Sequence, residues 1–151
     1  MGIQKVVDEN MNVYKRGSLF TILLFLMGVS VGFNQVSSVN DVVDEITASI
    51  RNRNVKDLSQ HLSSTVSMNI LNEEGVYSKV QAEIVLKDFF EKNQPEEVKT
   101  LQKLQSKSTY RFVVLEMQSS KGTFRISYKL LGVEQSYKIS EFRIENYKSA
   151  D

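Results

Sequence analysis

From Thr109 to Asn146 the chain alternates apolar and polar residues with little interruption, and this pattern limits the fold more than any other feature. Thr109–Gln118 places Val113, Leu115 and Met117 on one parity, and Thr123–Leu131 does the same with Phe124, Ile126, Tyr128 and Leu130. A period of two belongs to a strand with one buried face. Turn-forming runs, Ser119-Ser120-Lys121-Gly122 and Gly132-Val133-Glu134-Gln135, separate these strands from each other and from a last one, Ser136–Asn146. Setting Gln118 opposite Thr123 brings Met117 to Phe124, Leu115 to Ile126 and Val113 to Tyr128, with Glu116 across from Arg125 on the other face. Setting Leu130 opposite Tyr137 brings Tyr128 to Ile139. The last strand changes parity, since Tyr137 and Ile139 are odd while Phe142 and Ile144 are even. One extra residue at Ser140-Glu141 keeps all four on one face, and such a bulge also bends the strand. The expectation is a curved, mostly antiparallel sheet whose oily side must be covered by helices, an α+β architecture.

The first half of the chain supplies those helices. Val39, Val42, Val43, Ile46 and Ile50 recur at helical spacing, with Asp44, Glu45 and Arg51 opposite and Ser38 or Asn40 as cap. Val55, Leu58 and Leu62 fit a short second helix. Thr65–Leu71 alternates as a strand, Asn72-Glu73-Glu74-Gly75 forms a turn, and Val76-Tyr77 returns. Ser78-Lys79-Val80-Gln81 is a capping-box sequence, in which the serine hydroxyl and the glutamine side chain each satisfy one end-of-helix amide. Ala82, Val85, Leu86, Phe89 and Phe90 form the buried stripe of that third helix, and Asn93 and Pro95 end it. A further strand is expected over Val98–Ser106. The three glycines after residue 32 (Gly75, Gly122 and Gly132) fall at the expected turns.

This order matches the nuclear transport factor 2-like cone used by ketosteroid isomerase and scytalone dehydratase. More specifically, Tyr77-Ser78, Gln81-Ala82-Glu83, Asp88-Phe89-Phe90 and Asn93-Gln94-Pro95 resemble the motif of an uncharacterised family of small exported bacterial proteins with that cone fold, a domain of unknown function. The resemblance spans Val39 to Asn146, and its specific part is about 20 residues. It implies a fold and export, and no chemistry. Most of the motif serves the helix itself: Ser78 and Gln81 cap it, and Phe89 and Phe90 pack.

The N-terminus has the parts of a secretory signal: Lys15 and Arg16, an apolar run from Leu19 to Met27, and small residues ending at Gly32. Residues 1–32 are therefore expected to be removed, with translation beginning at Met1 or Met11, 33–38 as a linker and 39–151 as one domain. The apolar run is shorter than the roughly 20 residues of a spanning helix, so no stable membrane anchor is expected after cleavage. Residues 1–32 carry Lys5, Lys15 and Arg16 against Asp8 and Glu9, which leaves 16 charges of each sign in the mature chain. A neutral domain has no electrostatic hold on nucleic acid. With no cysteine and one histidine, thiolate chemistry, iron–sulfur clusters and the common zinc sites have no ligands.

What remains are candidates for binding. The pairing that buries Leu115 and Ile126 also turns Arg111 inward beside Leu130, near Tyr128 and Tyr137. These three would line a pocket at one end of the cone and hold a carboxylate or carbonyl. An isomerase or dehydratase of this fold needs an inward carboxylate or histidine base, and the alternation turns Glu116 outward. His61 is expected at the end of the second helix, where a cation suits the dipole. Tyr110, Phe112, Val114 and Leu131 make the outer sheet face more apolar than a solvated face, which suggests a homodimer. No catalytic residue, metal ligand or cofactor is assigned. The expectation is an exported, periplasmic or secreted, non-catalytic module for a small ligand or a protein partner; the alternative is a lyase- or isomerase-like enzyme using the cone cavity.

Overall fold

The buried apolar side chains of β1, β6, β5, β4 and β3 form one cluster, and among the described residues three helices lie against the sheet. The computed structural model describes residues 39–105, 110–133 and 136–148. The expected signal peptide, the 33–38 linker, Ser106–Thr109, Glu134-Gln135 and 149–151 lie outside the described residues. In chain order the elements are α1 (Val39–Arg51), α2 (Val55–Gln60), β1 (Leu62–Ile70), β2 (Glu73–Ser78), α3 (Lys79–Lys92), β3 (Pro95–Gln105), β4 (Tyr110–Ser119), β5 (Gly122–Val133) and β6 (Ser136–Asn146). The sheet order is β2-β1-β6-β5-β4-β3. All neighbours are antiparallel except β1 and β6, which are parallel.

The β4–β5 hairpin has the expected register, with Gln118 opposite Thr123, Leu115 opposite Ile126 and Arg111 opposite Leu130. The β5–β6 register differs by two residues: Leu130 faces Ile139 instead of Tyr137, and Tyr128, on the other side of the bulge, faces Phe142 instead of Ile139. A slip of two leaves every side chain on its expected face, because the strand repeats every two residues. The extra residue is Ser140, between the Lys129–Glu141 and Leu130–Ile139 pairs. Its hydroxyl donates to the Lys129 carbonyl at 3.4 Å. Ile139, Phe142 and Ile144 are all buried, so the bulge does reset parity.

Other boundaries moved for local reasons. Leu62 belongs to β1 rather than α2, because His61 N–H closes the helix on Leu58 and the His61 carbonyl accepts from Ile139 N–H at 2.7 Å. The β1–β2 turn is tighter than expected: Leu71 takes the left-handed conformation (φ 59°), and Glu73–Gly75 pair with β1. Gly75 and Gly132 are strand residues, and Gly122, at φ 138°, opens β5 directly after the Ser120-Lys121 turn. An added Cβ at Gly75 would meet the Tyr77 ring at 3.0 Å, so glycine there lets Tyr77 fold over the strand and pack against the core.

The helices cover the inner face with the residues their periodicity selected. In α1, Val42, Val43, Ile46 and Ile50 are buried. Arg51 donates to the Val98 carbonyl at 3.2 Å and Asp44 meets Lys103 at 3.3 Å, tying α1 to β3. In α3, Ala82, Leu86, Phe89 and Phe90 are buried, and Phe89 meets both Phe90 and Phe124 edge to face at 5.3 Å. Both halves of the capping box form: Ser78 N–H donates to Gln81 Oε1 at 3.0 Å and Gln81 N–H to Ser78 Oγ at 3.4 Å. At the other end Asn93 caps through both its backbone and side-chain N–H on the Phe89 carbonyl.

Two substitutions separate the cap from the stripe. Ser78→Ala is expected to lower unfolding stability by about 1 kcal/mol. Leu86→Ala is expected to cost about 2–5 kcal/mol, because it opens a cavity where the side chain is fully buried. Urea denaturation of the two variants checks both values and their order.

Candidate functional site

The inner face contains few polar atoms. Tyr128 is 1% exposed, and its ring stacks on Phe142 with centroids 6.2 Å apart. Its hydroxyl is buried without a hydrogen-bond partner. Thr47 on α1, whose hydroxyl donates to the Val43 carbonyl at 2.8 Å, acts on the phenol in the opposite sense to burial and is outweighed by it. Burial pushes the phenol far above its ordinary range, so it stays protonated at any physiological pH. Leu115, Ile126, Leu130 and Met117 complete this part of the core with no exposed surface. Glu116 lies on the outer parity, paired with Arg125 and accepting from Gln118 at 3.2 Å. Asp88 is exposed on α3 and bound by Lys92 at 2.7 Å.

The residues expected to share an interior pocket occupy a gradient of burial. Arg111 is half-buried opposite Leu130, and its guanidinium donates to the Tyr110 carbonyl at 3.0 Å. Tyr137 faces Gly132 and packs against the core edge. Tyr128 also borders a cleft of the opposite sheet face. On the outer face, Tyr110 faces Leu131 and is 40% exposed, Phe112 and Leu131 are half-buried, and Val114 is nearly covered. Leu104, opposite Phe112 and 49% exposed, joins them.

The outer face also holds a row that spans the whole sheet. Strand pairing sets Glu74, Asn69, Arg143, Ser127, Val114 and Gln102 side by side from β2 to β3. All six line one cavity of about 430 Å³. Five inter-strand steps of about 4.8 Å make the row about 24 Å long. Small Ser127 and Val114 form its floor, and longer side chains stand on both sides. Val114 is buried yet lies outside the main core cluster, as expected for a floor residue of the outer face. Arg143 reaches Glu145 at 3.3 Å, Lys129 reaches Glu141 at 2.9 Å, and Arg125 lies over the Tyr147 ring at 5.1 Å. The Asn69 side-chain oxygen is buried here with no hydrogen-bond partner. Alternation assigns Asn69, Ser127 and Arg143 to the outer face, but their alignment depends on β1 lying beside β6, which no local pattern encodes.

His61 caps α2 as expected, with Nε2 3.7 Å from Glu45 on α1. Burial lowers its pKa below 6.5, outweighing Glu45, which raises it; Lys138 lowers it further, Asp57 raises it and Lys79 lowers it. Among the described residues no group of three or more histidine and acidic side chains gathers as a metal would require. No helix of the described residues is long and apolar enough to cross a membrane.

A depressed histidine pKa means that the unfolded chain binds the proton more readily than the folded one. His61 therefore contributes stability above pH 6.5 that is lost as pH falls through 6.5 toward the lowered folded value. In His61→Gln that segment of the pH profile is expected to flatten, as read from melting temperatures between pH 5 and 7.5; an unchanged slope would assign it to other groups.

Comparison with known proteins agrees with this fold. A crystal structure of a DUF4783 family protein from Bacteroides ovatus superposes with a TM-score of 0.66 at 19% identity, covering 70% of this chain and 94% of that one. One from Bacteroides fragilis gives 0.64 at 22% identity, covering 68% and 96%. A designed nuclear transport factor 2-like protein with a long sheet gives 0.59 at 12% identity, covering 71% and 99%. No curated protein matches the chain. The model of the domain of unknown function DUF4783 matches residues 43–145, from the first buried turn of α1 to the end of β6, and the chain thus belongs to the DUF4783 family.

Proposed function

We propose that the chain is an exported, non-catalytic binding module whose outer sheet face receives a small ligand or a protein partner. The observation that carries this reading is the contrast between the two faces. The inner face is filled by Tyr128, Phe142 and their aliphatic neighbours, and among the described residues its central strands carry no carboxylate or imidazole to serve as a general base. The outer face carries an open cleft with paired charges and a buried acceptor lacking a donor.

Pairing with a second copy belongs to the same reading. Tyr110, Phe112, Leu131 and Leu104 form the apolar end of the outer face, with Val114 beneath, and sheet-to-sheet contact would remove them from water. Light scattering is expected to give twice the chain mass for the wild type and the single mass for Phe112→Glu. A monomeric wild type removes the pairing. N-terminal sequencing of the exported protein is expected to begin near residue 33.

The buried phenol of Tyr128 favours a second reading, in which Arg111, Tyr128 and Tyr137 hold a carbonyl or carboxylate ligand inside the cone, for binding or for lyase- or isomerase-like chemistry. Tyr128→Phe separates the two. Under the first reading it keeps or raises the melting temperature, because it removes an unsatisfied hydroxyl, and it leaves ligand retention unchanged. Loss of a retained ligand in that variant would move the site indoors.

A further inference from the structure

We infer that the cleft across the outer sheet face is a subsite for a neutral, hydroxyl-rich ligand of the short-oligosaccharide class. This inference rests on the outer-face reading above and narrows it to one chemistry.

The lining excludes ligands of a single charge. Arg125 and Arg143 stand with Glu74, Glu141 and Glu145 around the same volume. A phosphate or carboxylate group drawn to the arginines meets three acids, and a polyamine drawn to the acids meets two guanidinium groups. A purely apolar ligand would strip water from five charges with nothing to replace it. An extended peptide recognised by strand addition needs a free sheet edge; the cleft runs across the strands, whose backbone groups are already paired with their neighbours.

A ligand whose groups both donate and accept suits this lining. Arg143 and Arg125 only donate, the glutamates only accept, and Asn69, Gln102, Ser67 and Ser127 do both. Asn69 lines the row beside Arg143, which turns toward Glu145 at 3.3 Å. The Asn69 amide is a donor and an acceptor in one side chain, which suits a hydroxyl lying along the row. The cavity of about 430 Å³ is within the usual range for small-ligand clefts, and its extension along the row accommodates linked rings rather than one.

The test is an amide-resolved NMR titration of the purified protein with maltotriose, cellotriose, mannotriose and N-acetylchitotriose, with inorganic phosphate and spermidine as charged probes. At least one trisaccharide is expected to shift the amides of Asn69, Val114 and Ser127 saturably, with both charged probes binding more weakly. Asn69→Leu is expected to weaken that binding by about tenfold, the loss of one hydrogen bond to the side-chain amide, while keeping or raising the melting temperature. Arg143→Ala, at an exposed position, is expected to weaken it similarly without loss of fold. Silence of these amides toward all four trisaccharides, tighter phosphate or spermidine binding, or undiminished affinity in Asn69→Leu overturns the inference. If a protein partner or a second copy shifts the same amides while the trisaccharides do not, the sugar assignment fails and the outer-face reading stands. Trisaccharide shifts centred on Arg111 and Tyr128 overturn both.

Discussion

The structure depends on one apolar surface held continuous across a sheet that must also bend. Val66 and Met68 in β1, Phe142 and Ile144 in β6, Ile126 and Tyr128 in β5, and Val113 and Leu115 in β4 are all buried against α1 and α3. Burial of this surface supplies the main favourable term for folding, and it tolerates no error of parity, because a slip of one residue would turn a whole strand outward. Ser140 is where the constraint is met. Its insertion lets β6 change parity in sequence without changing face in space, and the strand bends at the same point. Curvature and continuity of the core thus have a common source.

The same packing governs chemistry. In an open cone, a tyrosine at the centre of the sheet would line a chamber. Here Tyr128 stacks on Phe142 and its hydroxyl is sealed from water, so burial holds the proton on the oxygen. Polar capacity lies instead on the opposite face. There, small residues between longer ones leave a cleft, and the bend of the sheet gathers groups from all six strands.

Much of the fold was legible in particular residues. The Ser78–Gln81 capping box, the Ala82–Phe90 stripe, the β4–β5 register and the bulge at Ser140 all follow from contacts between residues close in sequence or joined by a tight turn. The misreadings have local causes of another kind. Leu62 looked helical by spacing but is drawn into β1, where the backbone of its neighbour His61 pairs with Ile139, a contact 78 positions away. Gly75 looked like a turn because glycine usually marks one, whereas it makes room for the Tyr77 ring. Within the outer cleft, Phe112 and Val114 could be assigned to their face by alternation, while Asn69 and Arg143 had no visible relation to them.

By itself the sequence determined the kind and order of the elements, which side of each central strand is oily, where the last strand must bulge, and that no cysteine is present for thiolate chemistry. Those properties depend on periods of 2 and 3.6 residues and on side-chain type, which short stretches of chain carry in full. Only the tertiary structure decided that β1 runs parallel beside β6, that Tyr128 fills the interior, and that Glu74, Asn69, Arg143, Ser127, Val114 and Gln102 form one line. Each of these is a choice among distant partners, and that choice is made by the packing of the whole apolar face at once.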